Sequence, residues 1–378
     1  MSVSIVGVGI HPFGRTELSA QQMGVIAIRR ALADAGASWS DIEFAVGGSL
    51  DGGQSDVMVS VLGQTGIPFI NVLNGCATGT SALIAASNMI ETGQGRIGVV
   101  IGMDKHDAGA FTADPTDWGK GAWYGETGMF VNPQFFALKL QRYMHEHDIS
   151  ESTLAETAVK AYRNGSLNPN AWRQKPLSVE DVMDSRMIND PLRQYMICSP
   201  SAGAVALVIA ESSIAERWNA KPVQVAGAAL RTRLPGSFEI FTTSMPTDLP
   251  KTPSELSSAA VFEKTGLKPS DVDVWQVQDT EVGAELMHMA EIGLCAHGEQ
   301  TELIRSGATQ IEGKSPVNTD GGLLANGEPV GASGLRMIHE NTLQLRGEAG
   351  DRQVAGPEVA FSHVYGAPGI SACTILTV

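Results

Sequence analysis

A cysteine within a glycine-rich turn is the residue of this chain best suited to covalent chemistry. Cys76 stands between Gly75 and Gly79, directly after an extended apolar run over residues 67–72. Glycine allows a tight turn, and the next residues begin a helix whose positive end favours a thiolate. Free backbone N–H groups at a helix start can also stabilise the oxyanion of an attacked thioester. The pattern therefore predicts a nucleophilic cysteine, whereas a lone cysteine is more often a small buried residue.

The segments around this turn predict an α/β core that would hold it. Residues 80–90 are apolar on almost every side of a helix, which indicates a buried helix. Residues 97–101 form an uninterrupted apolar run, typical of a strand in a parallel sheet covered on both faces. Residues 3–9 and 202–210 favour further buried strands, and residues 21–36 favour a helix that ends at glycine.

Residues 106–196 differ in composition from the rest of the chain. They are rich in Trp, Tyr, Met, Asn and charged residues and show little strand pattern. Helices are predicted at residues 133–147 and 151–164. We interpret the segment as a mostly helical excursion laid over the first half of the chain, of the kind that shapes a ligand tunnel. Three of its histidines are expected at the surface, namely His106, His145 and His147.

Two pairs of similar segments, one segment of each pair in each half of the chain, indicate an internal duplication. Residues 32–44 and 262–274 each carry a helix end at glycine, then Ser-Asp-Ile or Ser-Asp-Val, then a strand. Cys-Ala-Thr-Gly at residues 76–79 and Gly-Ala-Ser-Gly at residues 331–334 each precede a helix. Two echoes in the same order predict two copies of one β-α-β unit. Packed face to face, the copies would form layers in which the two helix-start turns meet near one pocket.

Composition excludes several classes of protein. Hydrophobic residues make up 43% and charged residues 18% of the 378 positions, which suits a folded core. The 26 basic and 41 acidic residues leave a net charge of -15, which argues against nucleic acid or anionic membrane as a partner. The four cysteines show no C-x-x-C spacing, so no metal site is expected and a reducing compartment is favoured. No signal peptide and no membrane span are expected, so the predicted location is cytoplasmic.

Three stretches resemble the thiolase superfamily. Residues 73–80 resemble its acylation-site loop, and residues 318–334 resemble its Asn-x-x-Gly-Gly…Gly-His-Pro-x-Gly-Ala-Ser/Thr-Gly block. Residues 198–204, with Asn168-Pro169 before them, resemble the sterol-carrier branch. The resemblance covers essentially the whole chain. It implies an α/β fold of the thiolase type, a duplicated five-layer α-β-α-β-α body.

The resemblance also implies three parts of the chain. The first half would comprise residues 1–105 and 197–220, and the second half residues 221–378. Residues 106–196 would form the helical excursion that covers the active site.

The position of the family's Gly-His-Pro histidine is occupied here by Glu328. That histidine helps to activate the nucleophile and donates to a thioester oxygen. A carboxylate can act as a base but, when ionised, repels an oxyanion. Burial could raise its pKa and make it a neutral donor, or the residue could be a solvated loop carboxylate.

Residues 362–369 fall where thiolases carry Cys-x-Gly-Gly-Gly-x-Gly, so His363 takes the place of the acid/base cysteine. A histidine at a strand end can accept a proton near neutral pH, although many are hydrogen-bonded core residues. Tyr365 replaces the first glycine. Its N–H could complete an oxyanion hole with that of Cys76, or its phenol could be the acid/base, as in thiolase-like retro-aldolases. Gln278 takes the place of a residue that holds an oxyanion-stabilising water, and Glu281 departs from the family pattern with no assigned role.

The resemblance implies an acyltransferase in which Cys76 attacks an acyl-CoA thioester and the acyl group passes to a carbon nucleophile or to coenzyme A. Coenzyme A is then part of the substrate, and no separate cofactor is expected. Two alternatives stay open: a retro-aldolase acting on a β-hydroxyacyl-CoA, and a non-catalytic acyl-CoA or lipid carrier. The resemblance further implies a role in lipid metabolism, a homodimer and, for the retro-aldolase, a small OB-fold or zinc-ribbon partner protein.

Overall fold

The computed structural model describes residues 2–128, 130–237, 248 and 250–378. Within these residues the strands are β1 (Val3–Gly14), β2 (Phe44–Gly48), β3 (Phe69–Val72), β4 (Ile97–Lys105), β5 (Met187–Asn189), β6 (Leu192–Arg193), β7 (Ala202–Glu211), β8 (Val223–Thr232), β9 (Val274–Val277), β10 (Val359–Gly366) and β11 (Ile370–Thr377).

The helices are α1 (Ala20–Ala35), α2 (Val59–Leu62), α3 (Thr78–Glu91), α4 (Trp123–Glu126), α5 (Asn132–His147), α6 (Glu151–Ser166), α7 (Val179–Met183), α8 (Pro253–Thr265), α9 (Val282–Glu291), α10 (Gln300–Arg305), α11 (Gly322–Asn326) and α12 (Val330–Arg346). None of these helices has the length and apolar character that a membrane crossing requires.

One mixed sheet of nine strands runs through both halves, in the order β3-β2-β4-β7-β1-β8-β11-β10-β9. β2 is parallel to β3 and β4, and β9 is parallel to β10, whereas β7, β1, β8 and β11 are antiparallel to their neighbours. The two halves join where β1 pairs with β8. The apolar strand predicted at residues 97–101 is the centre of β4, and every residue in it is buried.

Two helices from different halves form the middle layer. α3 and α12 pack against each other and against strands of both halves. A Cβ added at Gly79 would lie 2.9 Å from Cγ of Leu335, and one added at Gly334 would lie 2.5 Å from Oγ1 of Thr80. The contact between the helices therefore depends on small residues. α1 covers the outer face of the first half, and α8 with α9 covers that of the second, so the predicted α-β-α-β-α layering is confirmed.

The duplication inferred from the echoes is visible in the structure. α1 and α8 both end at a glycine in the left-handed conformation, Gly36 with φ 63° and Gly266 with φ 72°. A short 3-10 turn follows in each copy, and then β2 or β9. The second pair of echoing segments begins the two central helices, α3 and α12.

The two predicted helices of the excursion are present as α5 and α6, but their location differs from the prediction. Both pack mainly against second-half helices, α5 against α9 and α6 against α9, α10 and α11. Leu140 and Leu154 share a buried apolar cluster with Trp275 and Leu286. The expectation that the excursion lies over the first half is therefore wrong, because its apolar faces match those of α9 and its neighbours.

Candidate active site

Cys76 lies in the turn between β3 and α3. Gly75 adopts a φ of +54°, and the amide of Thr78 donates to the carbonyl oxygen of Gly75 at 3.0 Å. A Cβ at position 75 would lie 2.7 Å from the carbonyl oxygen of Ala367. Glycine is therefore needed both for the backbone angle and for the close approach of the loop that joins β10 to β11.

Glu328 faces Cys76 from the other half of the chain. It lies between α11 and α12, and only 1% of it is exposed, so it is not a solvated loop carboxylate. Its carboxylate acts electrostatically on the Cys76 thiol, and both residues line one cavity. The first half thus supplies the thiol, and the second half supplies the carboxylate beside it.

A second thiol contacts the same carboxylate. The Cys198 thiol donates to Oε2 of Glu328 at 3.4 Å. The backbone fixes this contact, since the amide of Cys198 donates to the carbonyl of Thr280 and the amide of Glu328 donates to the carbonyl of Ser199, both at 2.9 Å. Sequence reasoning did not single out Cys198 as a site residue. The available signal was its place in a Cys-Ser-Pro stretch directly before the buried strand β7.

Gln278 orients the carboxylate of Glu328 through a hydrogen bond. Its Nε2 donates to Oε1 of Glu328 and to Oγ1 of Thr280, both at 3.2 Å. Its own Oε1 is buried without a hydrogen-bond partner among the described residues. A buried acceptor without a partner is costly, so this oxygen suits a water or a substrate donor. The predicted water-positioning role stays a prediction, and the geometry adds a role in orienting the carboxylate.

The surroundings of the Cys76 thiol oppose the ready ionisation that its place at a helix start predicts. Burial and the charge of Glu328 raise its pKa well above the usual value, and they outweigh the backbone N–H groups of Cys76 and Ala367 that lower it. Burial and Glu328 raise the pKa of Cys198 in the same way. Both thiols are therefore protonated at neutral pH, and Cys76 needs a base at the moment of attack.

The two N–H groups near the Cys76 sulfur belong to Cys76 itself and to Ala367. Two backbone donors at one point are suited to stabilise the oxyanion of a thioester under attack. The Tyr365 amide stays the predicted second donor of an oxyanion hole, and the amide of Ala367 acts on the sulfur beside that of Cys76.

A cavity of about 700 Å³ opens onto Cys76 and Glu328. Its volume falls within the range of roughly 300–1,000 Å³ typical of small-molecule sites. Phe111 and Phe136 of the excursion and Tyr365 of β10 contribute to its wall. Residues of the excursion thus form part of the cavity wall.

Tyr365 and His363 are two residues apart on β10 but have different surroundings. Tyr365 lines the cavity, whereas His363 is not among the described residues that line it. His363 is fully buried, with its Nε2 at 2.9 Å from Oγ of Ser254 and its ring 4.6 Å from that of His288. Burial lowers its pKa well below the ordinary value. The structure does not bring this imidazole to the Cys76 turn. Successive side chains of a strand point to opposite faces, and it is the neighbouring Val364 that packs with Cys76 and Ala77.

Asp104 and His106 hold the start of α12 and thereby the Glu328 loop. The amide of Gly331 donates to Oδ2 of Asp104 at 2.6 Å, and the amide of Val330 donates to Nε2 of His106 at 3.2 Å. His106 is 6% exposed, so its expected place at the surface is wrong. His145 is exposed as expected, and His147 is half-buried against the ring of His297.

Comparison with known proteins identifies the family. The thiolase N-terminal domain model matches residues 3–195, and the thiolase C-terminal domain-like model matches residues 238–377. The chain belongs to the thiolase family. This membership agrees with the five-layer fold and with the position of Cys76 at the start of a central helix.

Similar proteins include both enzymes and sterol carriers. Sterol carrier protein 2 of Bos taurus is 33% identical over 99% of this chain and 72% of its own length. An acetyl-CoA acetyltransferase of Methanothermobacter thermautotrophicus is 31% identical over 97% of each chain. A solved Ltp2-ChsH2(DUF35) aldolase superposes with a TM-score of 0.90, at 25% identity, over 100% of this chain and 98% of its own.

Proposed function

We propose that this thiolase-family protein transfers acyl groups from coenzyme A thioesters through an acyl-enzyme on Cys76, making or breaking a carbon–carbon bond. The proposal rests on one observation, the contact of the Cys76 thiol with the buried carboxylate of Glu328 at the wall of the 700 Å³ cavity. The similarity to an acetyl-CoA acetyltransferase supports the same class of reaction.

In the acylation step, Glu328 takes the thiol proton as the Cys76 sulfur bonds to the thioester carbon. The carbonyl oxygen becomes an oxyanion that accepts from the amides of Cys76 and Ala367. When the tetrahedral intermediate collapses, the bond to the coenzyme A sulfur breaks, and protonated Glu328 returns the proton to that sulfur. A thiol with a raised pKa suits this concerted route, since the base acts only when the bond forms.

The second half-reaction passes the acyl group to a carbon nucleophile or back to coenzyme A. A carbon nucleophile must first lose a proton. Glu328 is ionised again once coenzyme A has left with its proton, and it lines the cavity where that carbon would bind. Cys198 and Gln278 keep this carboxylate in place through their hydrogen bonds to its two oxygens.

Mass spectrometry after mixing with acetyl-CoA tests the proposal. We expect one acetyl adduct, located on Cys76 by peptide mapping, and no adduct in the Cys76→Ser variant. Cys295→Ser is the matched control, because that free, partly buried thiol lies outside the site and its loss should leave the adduct in place. Absence of an adduct from the folded wild-type protein with every acyl-CoA tried would contradict the proposal and would favour a non-catalytic carrier.

A second candidate is a retro-aldolase acting on a β-hydroxyacyl-CoA. The side chain of Tyr365 lines the cavity. As a phenolate it would take the proton of the β-hydroxyl group as the carbon–carbon bond breaks, and it would then return that proton to the α-carbon of the released acyl-CoA. The similarity to the Ltp2-ChsH2(DUF35) aldolase supports this candidate. That aldolase is named for two components, so a small partner protein forms part of the same proposal. Release of an aldehyde or ketone without any adduct on Cys76 would favour it over acyl transfer.

We also propose a homodimer built on the edge strand β3. Ile70 of this strand is 41% exposed, and Val57 and Val61 in the segment that precedes it are 46% and 61% exposed. An exposed apolar edge strand is a template for pairing with another chain. A cytoplasmic location and a role in lipid metabolism stay predictions; the four free cysteines suit a reducing compartment.

A further inference from the structure

A second cavity lies next to the one that contains Cys76. Its volume is about 250 Å³, and it is enclosed mainly by α5, α8 and α9. Phe136, Thr280 and Tyr365 line both cavities, so the two cavities adjoin at these residues. Apolar side chains such as Phe135, Tyr143 and Met287 cover much of its surface. The size and lining suit the far end of an acyl group whose thioester carbon lies at Cys76.

Glu281 provides the polar group of this cavity. It is 0% exposed to bulk solvent and lines the cavity directly after the shared residue Thr280. Its Oε2 accepts from the amide of Gly283 at 2.5 Å and so caps α9. Its Oε1 is buried and has no hydrogen-bond partner among the described residues. The family resemblance assigned this carboxylate no role. The amides of Gly283 and Ala284, both in the first turn of α9, favour its charged form.

The unpartnered Oε1 of Glu281 can accept a hydrogen bond from a bound ligand. A buried acceptor without a partner costs roughly 1–3 kcal/mol, more if charged, so a bound group that donates to it gains affinity. Burial raises the pKa of Glu281 to about 7, and within the described part of the chain no cationic side chain donates to its Oε1.

The surrounding charges favour a neutral donor. Lys139 acts electrostatically on both Glu281 and Glu291, which disfavours a cationic ligand. The carboxylates of Glu281 and Glu291 disfavour an anionic one. Glu291 is already paired with His288, whose Nδ1 lies 2.6 Å from it, Glu146 is paired with Arg142, and Glu255 accepts from the amide of Thr252. Among the described carboxylates of the cavity, Glu281 is the one that has a buried oxygen without a partner. A hydroxyl group is the simplest neutral donor that an acyl chain can carry.

We propose that the 250 Å³ cavity receives the far end of the acyl group and that Glu281 selects acyl groups carrying a hydroxyl there. The hydroxyl donates to Oε1 of Glu281, while the carbon chain contacts Phe136 and Met287. This assignment rests on the proposed acyl transfer and names its substrate class, an acyl-CoA with a hydroxyl distant from the thioester. Sites built to hydrogen-bond a hydroxyl reject the analogue that lacks it far more strongly than apolar pockets reject an extra methylene.

Matched pairs of substrates test the assignment. Straight-chain acyl-CoAs of four to ten carbons, each with and without a terminal hydroxyl, are compared by single-turnover acylation of Cys76. We expect the wild-type protein to prefer the hydroxylated member by about 10-fold or more at one chain length. Acylation by acetyl-CoA, measured in parallel, reports on the proposed function alone.

Glu281→Gln is the decisive variant, because its remaining oxygen can still cap α9 while an N–H₂ group replaces the free acceptor. The hydroxyl preference should fall to near 1 in this variant, and its melting temperature shows whether the fold is intact. Glu146→Gln is the matched control. That carboxylate also lines the cavity but is paired with Arg142 at 2.7 Å, so the preference should persist.

Three outcomes would overturn the assignment. The wild-type protein could acylate from acetyl-CoA yet show no hydroxyl preference at any length, which would leave the proposed function intact. The preference could persist in Glu281→Gln. A crystal structure of the hydroxyacyl-enzyme could show only water bound to Oε1 of Glu281. If no acyl-CoA of any kind acylates Cys76, the proposed function itself fails, and the two failures are thus distinguishable.

Discussion

Substitution of Glu328 should affect the ionisation of Cys76 and the rate of acyl transfer in opposite directions. Its charge raises the pKa of the thiol, yet in the proposed mechanism it is also the base that takes the thiol proton. In Glu328→Gln the pKa of Cys76 should fall, so iodoacetamide at pH 8 should alkylate it faster than in the wild-type protein. Acylation by acetyl-CoA should slow by roughly 10²–10⁴-fold, because general base catalysis is lost.

The pH dependence of alkylation checks the same point. Since burial and Glu328 raise the pKa of Cys76 above its ordinary value, the wild-type rate should stay low at neutral pH and rise only in strongly alkaline buffer. In Glu328→Gln the rise should occur at lower pH. Glu263→Gln removes an exposed charge on α8, outside the cavity, and should keep the wild-type profile. Parallel losses of alkylation and acylation in Glu328→Gln would show that the residue only maintains the structure.

Tyr365 distinguishes the two candidate reactions. Tyr365→Phe removes only the phenol oxygen from the cavity wall and should leave the Cys76 acetyl adduct at near wild-type rate. Any cleavage of a β-hydroxyacyl-CoA should fall by roughly 10²-fold or more, because its acid/base is gone. The measurement is aldehyde release beside adduct formation. Tyr162→Phe, in which a buried phenol outside the cavity is removed, is the control; an equal loss in both variants would count against Tyr365.

At the scale of elements, a close contact joins β4 to α12. A Cβ added at Gly331 would lie 2.7 Å from the carbonyl oxygen of Met103 and 2.8 Å from that of Gly48. Both neighbours are backbone, so neither can move cheaply. Gly331→Ala should therefore destabilise the protein by about 1–3 kcal/mol, measured by urea unfolding. It should also slow acylation, because the shift of α12 moves Glu328 away from Cys76.

Gly125→Ala is the matched control for this substitution. Its Cβ would meet only Pro115, at 3.4 Å, within the short helix α4. Alanine there should be neutral or stabilising by up to about 1 kcal/mol. Equal unfolding midpoints for the two variants would show that the contact at Gly331 has more room than the structure indicates.

The elements were largely predictable from the sequence, whereas their contacts at the site were less so. The turn at Cys76, the apolar strand β4 and the glycine stops at Gly36 and Gly266 are local patterns. Cys198 and the amide of Ala367 reach the site through pairings between distant segments, such as the bond from Cys198 to Thr280, which no local pattern records. The Cys76 thiol was expected to ionise because its helix start is visible in the sequence, whereas its burial beside Glu328 is not.

At the scale of the whole molecule, the exposed edge of the sheet predicts self-association. Light scattering after gel filtration should give a mass of about 80 kDa, twice the 39.9 kDa of one chain. Val61→Lys combined with Ile70→Lys should shift the protein towards 39.9 kDa, since charge on an edge strand opposes pairing. Val179→Lys, at another exposed apolar position, should leave the mass unchanged. A wild-type protein that elutes as a monomer would contradict the proposed dimer.

The pairing of β1 with β8 has a consequence for how the proposed activity would be lost or regained. The Cys76 thiol belongs to the first half of the chain and the Glu328 carboxylate to the second. A fragment that contains only one half therefore lacks one of the two groups. Activity therefore depends on the pairing of β1 with β8. It should be lost at a lower denaturant concentration than the helical circular dichroism signal. Two separately expressed fragments should regain turnover only when mixed, which makes the molecule a natural candidate for a split reporter.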